Sequence, residues 1–199
     1  MQAFHTFEKS LFGLPIRIEL FGDDSSDFPW ADHDGHGIIR TERKNYGHPD
    51  KRPGEVIVHD DSGTYWLYDV QATTKKAKAE GWGGSDSGAL TRGQRAAAAV
   101  AEDMDYCRRF LTGDLFYIGA VFSVLADDGR PTGTTDSIWG LEFGYRGKDY
   151  EAAISYIEEL AADFAENEHD ARLSVWRAAL KEARARRYWA QRDIPTIAA

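Results

Sequence analysis

Histidine and aspartate residues that could bind a metal are concentrated in one polar stretch of the chain. Asp32, His33, Asp34 and His36 stand close together there, and their imidazole nitrogens and carboxylate oxygens suit zinc, iron or manganese. The two histidines lie in a predicted loop, so the helical His-Glu-x-x-His pattern of hydrolytic metalloenzymes is absent. The pattern favours an ordinary turn, and we predict that the chain holds no metal and no other cofactor.

Residues that could act as nucleophiles lack the surroundings that catalysis requires. Ser62 lies in Asp-Ser-Gly rather than in the Gly-x-Ser-x-Gly of a nucleophile elbow. The single cysteine, Cys107, shares a predicted helix face with Val100 and Met104, which predicts a buried and unreactive thiol. The sequence therefore favours a binding protein over an enzyme. A small metal-dependent enzyme built on the His/Asp loop is an alternative.

Acidic residues dominate one segment near the C-terminus. Residues 149–170 contain eight acidic side chains and no lysine or arginine. Such a field suits a partner with a basic groove, and an acidic surface of this kind can mimic nucleic acid. A solvated helix face that keeps the protein soluble explains the same composition. The acidic residues predicted to bind a partner are Glu158, Glu159, Asp163 and Glu166.

The segment that follows has the opposite charge. Residues 171–192 contain seven basic residues against one acid. Helical spacing places four of its side chains on one stripe, Arg177, Lys181, Arg184 and Tyr188. This stripe could bind nucleic acid or an acidic partner. It could equally pair with the acidic helix of a second subunit in a homodimer, or pack on the acidic helix of its own chain, which is the interpretation that we prefer.

Composition narrows the class of protein further. The chain has 199 residues and a formal net charge of −9, which argues against general affinity for nucleic acid. One cysteine in the whole chain indicates a reducing compartment. No apolar run is long enough to span a membrane, and the N-terminus does not resemble a signal peptide. We expect a cytoplasmic protein that does not interact with membranes.

The elements that would position these residues can be predicted in outline. Alternating patterns predict hairpins over 4–20 and 55–69, and a long polar stretch, 21–54, separates them. Thr91 and Gln94 form a predicted capping box at the start of a helix. We therefore predict an α+β fold in which three to four helices pack against an antiparallel sheet of about five to six strands. It should be one domain over 1–199 that ends in a helical pair, with 168–199 a basic helix and tail.

Five sequence motifs resemble those of a broad family of uncharacterised accessory proteins encoded by phages, prophages and plasmids. They are DGHG at 34–37, KRPGE at 51–55, AKAEGW at 77–82, FLTGDLFYIGAV at 110–121 and DSIWGLE at 136–142. The resemblance covers about 30–165 and implies an accessory gene of a mobile element that is expressed in a bacterial host. It implies no catalytic or binding residues.

Together, the resemblance and the charge pattern predict a protein that acts by stoichiometric binding. The expected partner is a host protein in a nucleic-acid-processing complex, such as a restriction or CRISPR-type defence system that this chain would inhibit. The alternative is a nucleic-acid-associated accessory protein that uses its basic C-terminal helix.

Overall fold

The computed structural model describes residues 2–24, 28–32, 35–84, 90–145 and 147–192, with side chains for all of these except Asp32 and residues 188–192. The strands are β1 (His5–Leu11), β2 (Leu14–Gly22), β3 (Ile39–Arg43), β4 (Glu55–Asp61), β5 (Thr64–Asp69), β6 (Leu115–Leu125) and β7 (Pro131–Gly144). The helices are α1 (Pro29–Asp32), α2 (Val70–Glu80), α3 (Arg92–Leu111) and α4 (Gly147–Arg192). This architecture confirms the predicted α+β class.

The strands form two antiparallel sheets instead of the single sheet that we predicted. One sheet has the order β1-β2-β6-β7 and the other the order β3-β5-β4. The second sheet includes β3, which lies inside the polar stretch 21–54, where the sequence predicted no strand, and pairs along its length with β5. Periodicity identifies a strand but not its partner, so the division into two sheets could not be predicted from it.

The chain divides into two compact units. The first comprises Met1–Gly22, Ile118–Leu141 and Glu151–Ala199, and the second comprises Asp23–Tyr117 and Glu142–Tyr150. Each unit has its own buried apolar residues.

The core of the first unit lies on β2 and β6. Leu14, Ile16, Ile18 and Leu20 alternate along β2 and are all buried, as the predicted hairpin requires. Helix α4 packs on this sheet, where the ring of Phe164 stacks on that of Phe122 at a centroid distance of 6.0 Å. The helix buries one face of its first half in this way.

The core of the second unit lies between its three-stranded sheet and helices α2 and α3. The buried residues of this cluster are Val58, Tyr68, Ala77, Ala96, Val100 and Cys107. The helix ends agree with the sequence signals, because Asp69 caps α2 and Gly81 ends it in the left-handed conformation. Thr91 and Gln94 form the predicted capping box of α3.

The predicted C-terminal helical pair is wrong, because α4 is one continuous helix of 46 residues. The sequence predicts that a separate basic helix begins at about residue 168, and Asp170 is a residue type that often caps a helix at its N-terminus. Between Lys148 and Arg192, however, the chain contains no glycine or proline that would end a helix. An N-cap residue without a preceding break simply continues the helix.

The two halves of α4 differ in burial. Ile157, Ala161 and Ala165 are fully buried, whereas Val175 is 71% exposed and Trp176 is 60% exposed. The outer half, residues 170–187, therefore extends away from the core of its unit. No helix in the described ranges combines the length and apolar character needed to cross a bilayer.

This difference can be tested with two alanine substitutions in the same helix. Ile157→Ala should lower the free energy of unfolding by about 2–4 kcal/mol, because it leaves a cavity in the core. Val175→Ala should change it by less than about 0.5 kcal/mol, because the side chain is solvated. Urea unfolding followed by circular dichroism measures both values, and equal losses would contradict the assignment of the two halves.

Candidate functional site

The carboxylate of Asp103, whose side chain is almost fully buried, lies at the centre of a hydrogen-bonded polar cluster in the second unit. Its Oδ2 accepts from the Tyr68 hydroxyl at 2.6 Å and from the Gly37 backbone N–H at 2.8 Å. Its Oδ1 accepts from His36 Nδ1 at 2.8 Å and lies 3.9 Å from Cys107 Sγ. Side-chain exposure is 8% for Asp103 and 20% for His36.

The elements around Asp103 hold the segment 36–38 in place. Helix α2 contributes Lys76 Nζ, which donates to the His36 carbonyl at 3.0 Å, and Thr73 Oγ1, which accepts from the Ile38 N–H at 3.0 Å. Position 37 must be glycine, because a Cβ there would lie 2.3 Å from the Tyr68 hydroxyl oxygen. The His-Gly of the DGHG motif thus has a structural role at this site.

Hydrogen bonding decides the charge of the cluster. Burial alone would raise the pKa of Asp103, but the hydrogen bonds from His36, Tyr68 and Gly37 outweigh it and lower that pKa below its usual value. Burial, together with the hydrogen bond to Asp103, raises the pKa of Tyr68. Burial and the Asp103 charge also raise the pKa of the Cys107 thiol, which opposes any role as a nucleophile. The prediction that Cys107 is buried is confirmed.

The same cluster brings together three potential metal ligands. Ligand atoms of His36, Asp103 and Cys107 all lie within 4.8 Å of one another. However, donors already surround both oxygens of Asp103, and a metal would have to displace them. Of the other residues of the His/Asp loop, His33 and Asp34 lie outside the described residues, as does the side chain of Asp32. The arrangement is therefore best explained as a hydrogen-bonded support for the fold.

An open depression of about 840 Å³ adjoins this cluster. Trp82, Asp103, Tyr106 and Arg109 are among the residues that line it. The Tyr106 ring stacks on that of His36 at 5.2 Å, and its hydroxyl donates to Glu142. Burial and this hydrogen bond raise the pKa of Tyr106. The phenol stays protonated at neutral pH and serves as a hydrogen-bond donor rather than a base.

The acidic residues predicted to bind a partner lie on α4 and differ in their surroundings. Glu158 is half-buried and pairs with Lys9 at 2.5 Å. Glu159, Asp163 and Glu166 are exposed, and so is Asp170. The described residues form no ion pair with these four, which we call the acidic stripe.

The basic residues lie on the outer half of the same helix. Arg177, Lys181 and Arg184 are exposed, and we call them the basic stripe. The side chain of Tyr188 lies outside the described residues. Because α4 is continuous, the preferred interpretation, in which the basic segment packs on its own acidic helix, is wrong. The two stripes lie on one continuous helix, so they cannot contact each other within one chain.

No protein-family model, curated protein or solved structure matches this chain. The site must therefore be interpreted from its own geometry.

Several of the motif residues have structural roles. In KRPGE, Glu55 accepts two hydrogen bonds from Arg40, at 2.7 and 2.8 Å, and these bonds lower the pKa of Glu55 to about 2. In DSIWGLE, the ring of Trp139 covers Gly119, where a Cβ would lie 2.2 Å from the ring. These contacts hold strands and turns together.

Sequence reasoning missed Asp103. A usable signal was present, because Asp103 falls on the apolar face of α3, three residues after Val100 and four before Cys107. An ionisable residue on a core-facing stripe must find partners or lose its charge. Its partners, His36, Gly37 and Tyr68, come from distant parts of the sequence, so the sequence did not identify them.

The Asp103 carboxylate should stabilise the fold in a pH-dependent way. Asp103→Asn should lower the free energy of unfolding at pH 7 by about 2 kcal/mol, because it removes hydrogen bonds to a charged group. Since the folded-state pKa lies below the ordinary value of 3.8, this stabilisation is present above pH 3.8 and is lost as pH falls through the folded pKa. The difference between wild type and variant, measured by urea unfolding, should therefore shrink below that pH.

The matched control is Asp105→Asn. Asp105 lies on the same helix but is exposed, with only a surface pair to Arg108 at 3.1 Å. Its substitution should cost less than about 1 kcal/mol at every pH. Equal effects of the two substitutions at pH 7 would contradict the role given to Asp103.

We predict that the His36–Asp103–Cys107 cluster binds no metal tightly. Protein purified without chelator should contain well under one equivalent of zinc, iron or manganese by elemental analysis. Added zinc should not raise the melting temperature, because binding would first require loss of the hydrogen bonds to Asp103. One equivalent of metal that is absent from a His36→Ala variant would contradict this prediction.

Proposed function

We propose that this chain is a phage- or plasmid-encoded accessory protein that acts by stoichiometric binding to a host protein in the bacterial cytoplasm. The observation that carries the proposal is the acidic stripe, which is exposed on one face of a long, rigid helix. Its partner would be a nucleic-acid-processing protein of a defence system, inhibited because the stripe occupies a groove that normally binds phosphates. The resemblance of the five motifs supports the setting in a mobile element.

The geometry of the stripe supports mimicry of a charged polymer. Glu159, Asp163 and Glu166 stand on one face over seven residues, or about 10 Å of helix axis. A helix fixes their spacing, so little conformational entropy is lost on binding. Exposed charges of one sign also speed the encounter with a basic surface.

The enzyme alternative receives less support from the geometry. The thiol of Cys107 is inaccessible, and His36 is committed to Asp103 through Nδ1. A binding role requires none of these groups.

A second candidate function rests on the basic stripe. Arg177, Lys181 and Arg184 are exposed and could contact the phosphates of nucleic acid directly. Direct, salt-sensitive binding of duplex DNA by the purified protein, abolished by changing these three residues to glutamine, would favour this function over the first.

Neutral substitutions in the acidic stripe test the proposal. The tagged protein is first used to capture partners from a bacterial lysate treated with nuclease, and the captured protein is then purified. The triple variant Glu159→Gln, Asp163→Asn, Glu166→Gln should bind it at least about tenfold more weakly at low salt, with a smaller difference at high salt. The melting temperature should barely change, because exposed charges contribute little to stability.

Glu158→Gln is the matched control for this experiment. This residue lies beside the stripe but points to Lys9, so its neutralisation should leave partner affinity unchanged. If the acidic stripe occupies the groove that binds nucleic acid, duplex DNA added to the complex should displace this chain from the captured protein. Equal affinities of wild type and triple variant at both salt concentrations would refute the proposal.

A further inference from the structure

The outer half of α4 exposes apolar side chains as well as charges. Trp176 is 60% exposed, and Leu173 and Leu180 stand three residues before it and four after it on the same face. Both leucines are only partly buried. Tryptophan often anchors protein interfaces because it buries a large apolar area. This face has the composition of a helix that packs against another helix.

Charges along α4 follow a regular spacing. An acidic residue precedes a basic residue by eighteen positions four times. Three of these pairs share one face, namely Glu159 with Arg177, Asp163 with Lys181, and Glu166 with Arg184, whereas the fourth, Glu168 with Arg186, lies on the opposite side of the helix. Eighteen residues make five turns of an α-helix, so both members of each pair point in the same direction. One face of α4 is therefore acidic in its inner half and basic in its outer half, with Trp176 and its neighbouring leucines beside it.

We infer that this face pairs with α4 of a second copy in an antiparallel arrangement, about a two-fold axis that passes between the two helices beside residues 173 and 174. Antiparallel pairing places the acidic stripe of each copy against the basic stripe of the other, at both ends of the contact. Trp176 then lies within one helical turn of Leu173 of the second copy, and the two-fold axis repeats this proximity. The same patch is used by both copies, so the assembly closes as a dimer.

The facing charges agree with this register. Asp170 lies opposite Arg177 of the second copy, and Asp163 lies opposite Arg184 of the second copy. A parallel, in-register pair would instead place like charges together along its whole length, which is unfavourable.

A second copy matches the face better than other occupants do. A protein with a basic groove is complementary to the acidic half alone, and nucleic acid is complementary to the basic half alone. Neither explains an apolar stripe that continues between them. The inference does not depend on the proposed host partner, but it implies competition, because a second copy and a host protein would contact the same acidic residues.

Charge reversal tests the pairing. One variant carries Asp163→Lys, Glu166→Lys and Asp170→Lys, a second carries Arg177→Glu, Lys181→Glu and Arg184→Glu, and a third combines all six. Sedimentation equilibrium at micromolar concentration should show that the wild type is a dimer. For each three-residue variant, the dissociation constant of the dimer should be at least about tenfold higher. An equimolar mixture of the two should form a dimer, and the six-residue variant should regain its own.

Circular dichroism confirms that each variant folds, and restored dimers in the mixture exclude misfolding as the cause of dissociation. A wild-type protein that stays monomeric would overturn the inference. Dimers that persist in both three-residue variants would overturn it too, because the stripes would then not form the contact.

Orientation is measured separately with a spin label on Ala185→Cys, since the native Cys107 is buried and stays unlabelled. Two labels in the antiparallel dimer should lie about 35 Å apart along the axis. A separation of about 10 Å, the spacing of neighbouring helix axes, would indicate parallel pairing and overturn the arrangement.

These outcomes are separable from those of the host-binding experiment. If the wild-type protein is monomeric but still binds the captured host protein through the acidic stripe, only the dimer inference is refuted. If the wild-type protein is a dimer but variants of the acidic stripe bind the host protein with unchanged affinity, only the proposed function is refuted.

Discussion

An α-helix rises 1.5 Å per residue, and a sequence without glycine or proline gives it no place to bend sharply. In α4 this condition holds from Lys148 to Arg192, so the helix runs for 46 residues, about 69 Å. The inner half buries Ile157 and Ala161, and its Phe164 packs on Phe122 of the sheet. The outer half is mostly exposed over residues 170–187, so its charges must be solvated by water or paired with opposite charges on a partner or another copy.

The second unit is organised by a different constraint, the need to satisfy a buried charge. Asp103 would be costly inside a core, but four donors from α3, β5 and the segment 36–38 surround it. The carboxylate therefore links parts of the chain that the apolar contacts alone would fix less uniquely. Because donors surround both oxygens of Asp103, the group of His36, Asp103 and Cys107 stabilises the fold although its residue types resemble those of a metal site.

Local features of this fold were predictable from sequence, and long-range ones were not. The two hairpins, the capping box at Thr91 and the burial of Cys107 all depend on residues close in sequence, and the structure bears them out. Strand β3 escaped prediction because it is short and gains its stability from pairing with β5. The predicted break before the basic helix is absent because no glycine or proline precedes Asp170, so this residue continues the helix and does not begin a new one.

The candidate site shows the same division. The charged residues of α4 could be identified from composition and helical spacing, because each stripe is local. The Asp103 cluster could not, since Asp103 lies 67 residues after His36 in the sequence and only the fold brings the two together. Recognising an acid on an apolar helix face was the step within reach of the sequence.

The exposed outer half of α4 has a consequence for how the protein can change over time. Core positions such as Ile18 and Ile157 accept few replacements, since each loss of packing threatens the whole fold. Residues 170–187 contribute little to either core, so charges there can be gained, lost or exchanged with little effect on folding. A lineage that carries this chain can thus alter what the helix recognises through a few point mutations, while both cores stay intact.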